Sequence, residues 1–324
     1  MDISNKNLIS IEGANITVIG LGRSGESAAR LGKTLGANIL ISDGSSDSDV
    51  IERAKKLSSK GINVETGGHS KKIYDADLCV ISPGVKQDAT IVNETKANGI
   101  PIVSEIEFAS WFTYGAIIAI TGSNGKTTSV SLLEEMCKTK GFSPALAGNV
   151  GTAFSDIVLK DLEAKPSHRV YILEISSFQM EHIVHFKPFI SVFLNITPDH
   201  LDRYSGMDAY IQAKMNMIQN QDQRDHIVYN YDDPVLNTKF EGVLPQTHGF
   251  SILGERETIF TMNATKIYDE KHATLIHLDQ LALPGRHNLA NSLAAATAAK
   301  ILGVPNSRIA QTMSTFVGVE HRLE

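Results

Sequence analysis

Short apolar runs alternate with longer amphipathic stretches from the start of the chain. Apolar runs that end at turn residues are typical of strands, and stretches followed closely by glycine are typical of helices. The predicted strands are Asn15–Gly20, Ala37–Ser42, Asp77–Ser82 and Ile100–Val103, and the predicted helices are Ser24–Leu35 and Ser48–Lys60. Apolar strands separated by helices indicate an α/β domain with a parallel sheet, as in Rossmann-like folds.

A second series of the same kind predicts a second α/β domain. Its strands are Gly115–Thr121, Arg169–Leu173 and Phe189–Leu194, and its helices follow Thr121 to about Lys140, then cover Met207–Asn220 and Asn288–Leu302. Short alternating runs over Gly249–Leu283 predict a small antiparallel edge sheet. We place the boundary near Val103–Ser104, so that residues 1–103 form one domain and residues 104–319 the next.

Composition and net charge exclude several classes of function. The 324 residues include Lys+Arg 30 and Asp+Glu 36, and the net charge of -6 gives no electrostatic footprint for nucleic acid or a membrane surface. Two cysteines, Cys79 and Cys137, indicate neither a disulfide framework nor a cysteine-based zinc site. We expect a cytoplasmic protein, because we find no signal-peptide pattern and no apolar run long enough to span a bilayer.

The first candidate site is the segment Gly20–Gly25, which fits G-x-G-x-x-G between a predicted strand and a predicted helix. Glycines at this spacing let backbone amides at a helix start approach a diphosphate. Asp43 ends the next strand, where it could accept a hydrogen bond from a ribose or base. A nucleotide site is favoured over a turn that needs glycine only for packing, and NAD is the usual ligand, but the motif does not specify which nucleotide binds.

A second glycine-rich loop, Thr121–Thr128, is the strongest chemical signal in the chain. It keeps Gly-Lys-Thr after a buried strand, with Ile120 where the usual P-loop begins with glycine. Backbone amides of such a loop cradle phosphates, Lys126 can reach the β- and γ-phosphate oxygens, and the Thr127 hydroxyl can bind Mg²⁺. These residues predict a nucleoside triphosphate site.

Two further residues of the second domain are candidate metal ligands. Glu174 lies at the end of a strand, where P-loop proteins place a second metal-binding acid. An equally good interpretation is that Glu174 is an acidic residue at the start of a helix. His200 lies in the segment Asn195–Asp202 after another strand, where ligands gather, although a lone loop histidine is more often a surface residue.

Helical residues supply the remaining candidates. Most helical lysines are solvated, but a neutral Lys214 amine near the phosphate site could take up CO₂ and supply carbamate oxygens to a metal. Asn288 and Asn291 could contact a nucleotide from one helix face, and Asn288 could instead be an N-cap.

These pieces together resemble the Mur ligase family, the ATP-dependent amide ligases of peptidoglycan synthesis. The matching segments are Thr121–Thr128, Glu174–Gln179, Asn195–Asp202 with the two residues that follow, Lys214 and Arg286–Asn291. Their order and spacing are most similar to the member that adds D-glutamate, and the resemblance covers the whole chain. In that member the G-x-G-x-x-G domain holds UDP rather than NAD.

The resemblance implies a set of site residues. The implied ATP-binding residues are Gly122, Ser123, Asn124, Gly125, Lys126, Thr127, Thr128, Asn288, Asn291 and Arg322. The implied residues for the UDP-linked substrate are Arg23, Ser24, Asp43, Gly84, Asn149 and Ser176. Two Mg²⁺ ions would be held or framed by Thr127, Glu174, His200 and carbamylated Lys214, and the catalytic residues would be Lys126, His200 and Lys214.

The implied reaction joins D-glutamate to UDP-N-acetylmuramoyl-L-alanine through an acyl phosphate made with ATP. Family members carry a further C-terminal domain for the amino acid, so we expect residues 320–324 to begin that domain and the chain as given to be an inactive fragment and a monomer. The alternatives are an alanine- or diaminopimelate-adding ligase, folylpolyglutamate synthase (which lacks the first domain), or a non-catalytic nucleotide sensor with an NAD-type first domain.

Overall fold

The computed structural model describes residues 3–200, 202–254 and 256–318. Strands and helices alternate through its first part. The elements there are β1 (Asn15–Ile19), α1 (Arg23–Thr34), β2 (Asn38–Asp43), α2 (Ser48–Ser58), β3 (Asn63–Thr66), β4 (Leu78–Ile81), α3 (Thr90–Ala97), β5 (Ile102–Ser104) and α4 (Glu105–Ser110).

The first sheet is parallel, in the order β3-β2-β1-β4-β5. Every residue of β4 is buried, as the near-continuous apolar runs of a covered parallel sheet require. The strand order changes direction at β1, which lies between β2 and β4. Ligands bind at such a switch point, outside the carboxyl ends of the strands.

The second part of the chain continues the alternation and adds short strands near its end. Its elements are β6 (Ala116–Thr121), α5 (Lys126–Cys137), β7 (Ser143–Gly148), α6 (Phe154–Ala164), β8 (Arg169–Glu174), β9 (Ile190–Phe193), α7 (Met207–Met215), β10 (His226–Asn230), α8 (Pro234–Asn237), β11 (Gln246–Phe250), β12 (Phe260–Met262), β13 (Lys266–Asp269), β14 (Thr274–His277), α9 (Arg286–Ile301) and α10 (Asn306–Thr315).

The second sheet is also parallel, in the order β11-β10-β9-β6-β8-β7. Its central strand β6 lies between β8 and β9, so a switch point falls where β6 ends. Helix α9 packs against α5, and its buried alanines permit this close approach. Strands β12, β13 and β14 form a separate antiparallel sheet.

The described chain divides into two compact units, and the units interleave in sequence. The first contains residues 1–114, 151–165 and 177–186 within its bounds, and the second contains the rest. Helix α6 therefore belongs to the first unit, where it packs against α1 and α4. This grouping differs from the single predicted boundary near Val103–Ser104, because contacts made far along the chain decide it.

A buried carboxylate holds the last segment of the first unit in place. Glu107, on α4, is 0% exposed. Its oxygens accept hydrogen bonds from the backbone N–H groups of Val184 (3.0 Å), His185 (2.7 Å) and Phe186 (2.7 Å), and from the Trp111 indole (2.6 Å). A buried carboxylate is tolerated only when donors of this kind satisfy it.

The predicted α/β fold class, including the small antiparallel sheet, is confirmed. One helix boundary differs, because the helix predicted to reach Asn220 ends at Met215 and continues as a 3-10 turn. The sequence analysis missed β7, whose residues Ser143–Gly148 include Pro144 and small side chains that have low strand propensity. Among the described residues, no helix has the length and apolar character needed to cross a membrane.

Candidate active site

The phosphate loop connects β6 to α5. Its last residue, Gly125, is the N-cap of α5 and has φ +84°, in the left-handed region that favours glycine. A Cβ at this position would lie 2.2 Å from Oδ1 of Asn291, so packing against α9 also requires glycine. The loop therefore presents the free N–H groups of a helix start, which attract phosphate.

Lys126, the first residue of α5, folds back over this loop. Its Nζ donates to the carbonyl oxygens of Gly122 (2.9 Å) and Ser123 (3.0 Å). Burial lowers the pKa of the Lys126 amine, while Glu174 and Asp199 act in the opposite direction. The ammonium is thus placed at the mouth of the loop, where it can exchange carbonyl partners for phosphate oxygens.

Glu174, at the end of β8, joins two neighbouring elements. Its Oε2 accepts a hydrogen bond from the Thr127 hydroxyl (2.8 Å) and its Oε1 accepts one from the Asn149 amide (3.1 Å). A carboxylate and a hydroxyl are oxygen ligands of the kind that Mg²⁺ prefers. No group of three or more His, Cys, Asp or Glu side chains suited to a metal occurs among the described residues. The Thr127–Glu174 pair could hold such an ion, with phosphate oxygens and water as its other ligands.

Lys214 reaches the base of the same loop from α7. Its Nζ lies 3.4 Å from Oγ1 of Thr121, 3.3 Å from the Gly122 carbonyl oxygen and 4.6 Å from the ring centroid of Tyr210. The residue is only 2% exposed. Burial, and then the nearby charge of Lys126, lowers the pKa of Lys214 to about 7. A substantial fraction of the amine is therefore neutral, and nucleophilic, at neutral pH.

His200 lies in the loop after β9, beside Asp199. Its Nε2 is 3.5 Å from Oδ2 of Asp199, and its ring centroid is 6.4 Å from that of Tyr210. Since Tyr210 also contacts Lys214, the two predicted metal-site residues approach the same aromatic ring. His200 is exposed and has φ +53°, which is uncommon for a residue with a side chain.

The asparagines predicted to bind ATP have different surroundings. Asn291 lies against Gly125, as described above, and is buried. Asn288 donates from Nδ2 to the Pro284 carbonyl oxygen (2.9 Å). The interpretation of Asn288 as an N-cap is wrong, because α9 begins at Arg286 and Gly285 precedes it as the cap. Arg322 lies outside the described residues.

A second candidate site is a cavity of about 470 Å³ at the carboxyl ends of β1 and β4. Its lining includes four of the residues predicted for the UDP-linked substrate, Arg23, Ser24, Asp43 and Gly84. The predicted residues Asn149 and Ser176 are not among those that line it. They follow β7 and β8 of the second sheet instead.

Asp43 and Ser82 fix the glycine-rich turn of this cavity. The Asp43 carboxylate accepts from the backbone N–H groups of Leu21 (2.6 Å) and Ser45 (2.8 Å), and the Ser82 hydroxyl donates to the Gly20 carbonyl oxygen (2.9 Å). A Cβ at Gly25 would lie 2.0 Å from that carbonyl oxygen, whereas one at Gly22 would meet nothing within 4 Å. Gly25 therefore serves packing, and Gly22 leaves open backbone for a ligand.

Sequence reasoning missed two residues that hold the phosphate loop. Asn195, just after β9, exchanges two hydrogen bonds with the backbone of Asn124, and Tyr210 contacts the Ser123 hydroxyl. The signals for them were the position of Asn195 at a strand end, where the matching segment Asn195–Asp202 begins, and the spacing of Tyr210, one helical turn before Lys214.

The fold and the site define a protein with a nucleotide-type first domain and a P-loop-type second domain. Comparison with protein families identifies the Mur ligase middle domain over residues 120–299 and the Mur ligase MurD-like N-terminal domain over residues 14–104. The chain belongs to the Mur ligase family, and the resemblance found in the sequence is confirmed.

Relatives named UDP-N-acetylmuramoylalanine--D-glutamate ligase match nearly all of the chain. The protein from Salinibacter ruber is 41% identical over 321 residues, which cover 95% of this chain and 68% of the relative. Those from Bacteroides fragilis and Chlorobaculum parvum are 40% and 36% identical, with 95% and 97% of this chain and 69% and 70% of the relative covered.

Solved structures support the fold. The UDP-N-acetylmuramate:L-alanyl-gamma-D-glutamyl-meso-diaminopimelate ligase from Neisseria meningitides matches with a TM-score of 0.66 at 20% identity, over 95% of this chain and 99% of that one. The UDP-N-acetylmuramate-alanine ligase from Thermotoga maritima matches with a TM-score of 0.57 at 20% identity, over 94% of this chain and 69% of that one.

Proposed function

We propose that this chain carries the substrate- and ATP-binding domains of a ligase that adds D-glutamate to UDP-N-acetylmuramoyl-L-alanine. The observation that carries the proposal is that Lys126, the Thr127–Glu174 pair and Lys214 all meet one phosphate loop. The names of relatives up to 41% identical support the choice of substrates. A cytoplasmic location and a monomeric state remain predictions.

The second unit supplies the groups for phosphoryl transfer. The free N–H groups at the start of α5 and the Lys126 ammonium bind the β- and γ-phosphates of ATP, and neutralise the charge that develops as the substrate carboxylate attacks the γ-phosphate. The product of this step is an acyl phosphate and ADP. The amine of D-glutamate then adds to the acyl carbon and phosphate leaves, which forms the amide bond.

Thr127 and Glu174 would hold Mg²⁺ in this reaction. The hydroxyl and the carboxylate are already 2.8 Å apart, and both have lone pairs that an ion could share. The ion supplies charge neutralisation at the phosphate oxygens. A second ion, held or framed by His200 and a carbamate of Lys214, belongs to the same proposal. Its chemical basis is that the Lys214 amine has a pKa lowered to about 7, because only the neutral amine reacts with CO₂.

The cavity at β1 and β4 would bind the UDP moiety. Gly22 leaves its backbone open, the N-terminus of α1 begins at Arg23, and the Arg23 side chain is exposed beside it. A helix start and a guanidinium together suit a diphosphate. In the second unit, Asn149 and Ser176 would contact the muramoyl-alanine part of the substrate.

Calorimetric titration of this chain tests the proposal. Mg-ATP and UDP-N-acetylmuramoyl-L-alanine should each bind, and NAD should not. Lys126→Ala should abolish Mg-ATP binding and leave the affinity for the UDP-linked substrate unchanged, whereas exposed Lys140→Ala should change neither. Binding of NAD in the first unit, without binding of the UDP-linked substrate, would favour a nucleotide sensor instead.

Incubation with ¹³C-bicarbonate tests the carbamate independently of turnover. A carbamate carbon signal should appear in the NMR spectrum of the unmodified chain and be missing from Lys214→Ala. An identical signal from both proteins would show that Lys214 is not the site.

A further inference from the structure

Tyr210 occupies the centre of the second unit's site but belongs to none of the predicted groups. It lies on α7, is 1% exposed, and its hydroxyl is 3.1 Å from Oγ of Ser123. Three groups surround its ring: the Lys214 Nζ at 4.6 Å, the Tyr204 ring at 5.6 Å and the His200 ring at 6.4 Å between centroids. A ring enclosed in this way keeps its hydroxyl at a fixed position.

Hydrogen accounting gives the direction of the Tyr210–Ser123 hydrogen bond. The Ser123 hydroxyl has one hydrogen, which it donates to the Thr197 carbonyl oxygen (2.9 Å). The Ser123 hydroxyl oxygen also accepts a hydrogen bond from the Thr197 N–H (3.0 Å). Tyr210 must then donate its own hydrogen to Ser123. All three hydrogen bonds of the Ser123 hydroxyl are thereby made to groups outside the phosphate loop.

Asn195 holds the next loop residue in an equivalent way. Its Oδ1 accepts from the Asn124 N–H (2.9 Å), and its Nδ2 donates to the Asn124 carbonyl oxygen (3.1 Å). Its own carbonyl oxygen accepts from the Ser123 N–H (3.0 Å). One amide side chain thus pairs with both backbone groups of Asn124, as a neighbouring strand would.

We propose that Tyr210 and Asn195 are positioning residues that hold the phosphate loop in its ATP-binding conformation before ATP arrives. Two consecutive loop residues, Ser123 and Asn124, are each fixed by a side chain from another part of the fold. Ordering a loop on binding lowers affinity, and a loop that is already ordered avoids that loss. This inference rests on the proposed ATP site.

The test compares variants that remove hydrogen bonds to the loop without adding a charge. Tyr210→Phe keeps the ring and removes the donor, and Asn195→Ala removes both side-chain hydrogen bonds to Asn124. Tyr210→Phe should raise the Kd for Mg-ATP about 5- to 20-fold, the range expected for one buried hydrogen bond, and Asn195→Ala should raise it by at least as much. The Kd for UDP-N-acetylmuramoyl-L-alanine should not change. Tyr268→Phe, on β13, is the matched control and should change neither Kd.

A double-mutant cycle with Ser123→Ala adds a readout that a general loosening of the fold would not give. Once Ser123 has lost its hydroxyl, Tyr210→Phe should raise the Kd for Mg-ATP no further. Additive effects of the two substitutions, an unchanged Kd in the single variants, or a parallel loss of affinity for both ligands would each overturn the inference. Failure of the unmodified chain to bind Mg-ATP would instead overturn the proposed function.

Discussion

The side-chain oxygen of Asn291 lies where residue 125 would carry its Cβ, 2.2 Å from that position. Helix α9 can pack this closely only because residue 125 has no side chain, and this contact fixes the start of α5 against α9. The same two residues are predicted to bind ATP, so packing and ligand binding constrain them together.

Gly125→Ala should abolish Mg-ATP binding and lower the free energy of unfolding. A methyl group would collide with Asn291, and the residue would be strained at φ +84°, which costs roughly 1–3 kcal/mol. Gly141→Ala is the matched control, because Gly141 has φ +95° but nothing within 4 Å of its Cβ position. The control should lower stability by the strain alone and leave the Kd for Mg-ATP unchanged. Equal ATP affinities of the two variants would contradict the packing argument.

Asp43→Ala should weaken binding of the UDP-linked substrate while Mg-ATP affinity stays nearly constant. The carboxylate holds the Leu21 and Ser45 N–H groups, and losing such charge-assisted hydrogen bonds costs about 1.5–3 kcal/mol each. Calorimetry with both ligands checks the result, and exposed Asp88→Ala serves as the control. An equal loss of affinity for both ligands would be evidence against separate sites.

Lys214→Met should stabilise the fold. Below about pH 7 the folded chain carries a buried ammonium that the unfolded chain keeps in water, and a pKa lowered from 10.5 to about 7 corresponds to roughly 3–5 kcal/mol. Between about pH 7 and 10.5 the unfolded amine binds more protons than the folded one, so the stability of the unmodified protein should rise with pH.

Denaturant titrations across this pH range measure the effect. The stability gained in Lys214→Met should be largest near neutral pH and shrink as the pH approaches 10.5. Exposed Lys140→Met should have no such trend. A Lys214→Met protein that is less stable than the unmodified one at pH 7 would contradict the interpretation that burial of the Lys214 ammonium destabilises the fold.

The pair His226 and His248 should make the second unit less stable as the pH falls below about 6.5. Nδ1 of His226 and Nε2 of His248 are 3.0 Å apart on neighbouring strands. Burial lowers the pKa of both imidazoles. The negative charge of Asp225 partly offsets the lowering at His226, whereas the charge of His226 lowers the pKa of His248 further. The unfolded chain then binds more protons below pH 6.5, and acid favours unfolding.

His248→Gln should flatten this part of the stability profile, because glutamine does not titrate. Exposed His287→Gln is the control and should leave the profile unchanged. If stability falls with pH in the same way for His248→Gln and the unmodified protein, the histidine pair is not the cause of the loss of stability in acid.

The sequence predicted the site best where its chemistry is local. The loop residues 122–128 are consecutive, so their spacing alone indicated a phosphate site, and Gly20–Gly25 indicated the first cavity in the same way. Asn195 and Tyr210 could not be found like this, because they meet the loop from 71 and 87 residues away in sequence. Only the packing of β9 and α7 brings them there.

The same limit explains what was missed in the fold. Strand β11, Gln246–Phe250, is too polar to be recognised from an apolar run, and its pairing with β10 gives it its structure. Helix α6 was not predicted, and its grouping with the first unit follows from contacts with α1 and α4. The local sequence pattern does not show which distant elements a strand or helix will contact.

The hydrogen bonds of Glu107 have a consequence for the order of events during synthesis. The ribosome completes strands β1 to β5 and helix α4 well before it adds Val184, His185 and Phe186, whose amides satisfy this carboxylate. Synthesis proceeds at about 5–20 residues per second. For several seconds, therefore, the nascent first unit contains the Glu107 carboxylate but not the backbone N–H groups that bind it. Residues 115–150 emerge in that interval, so the start of the second unit is present before the first is complete.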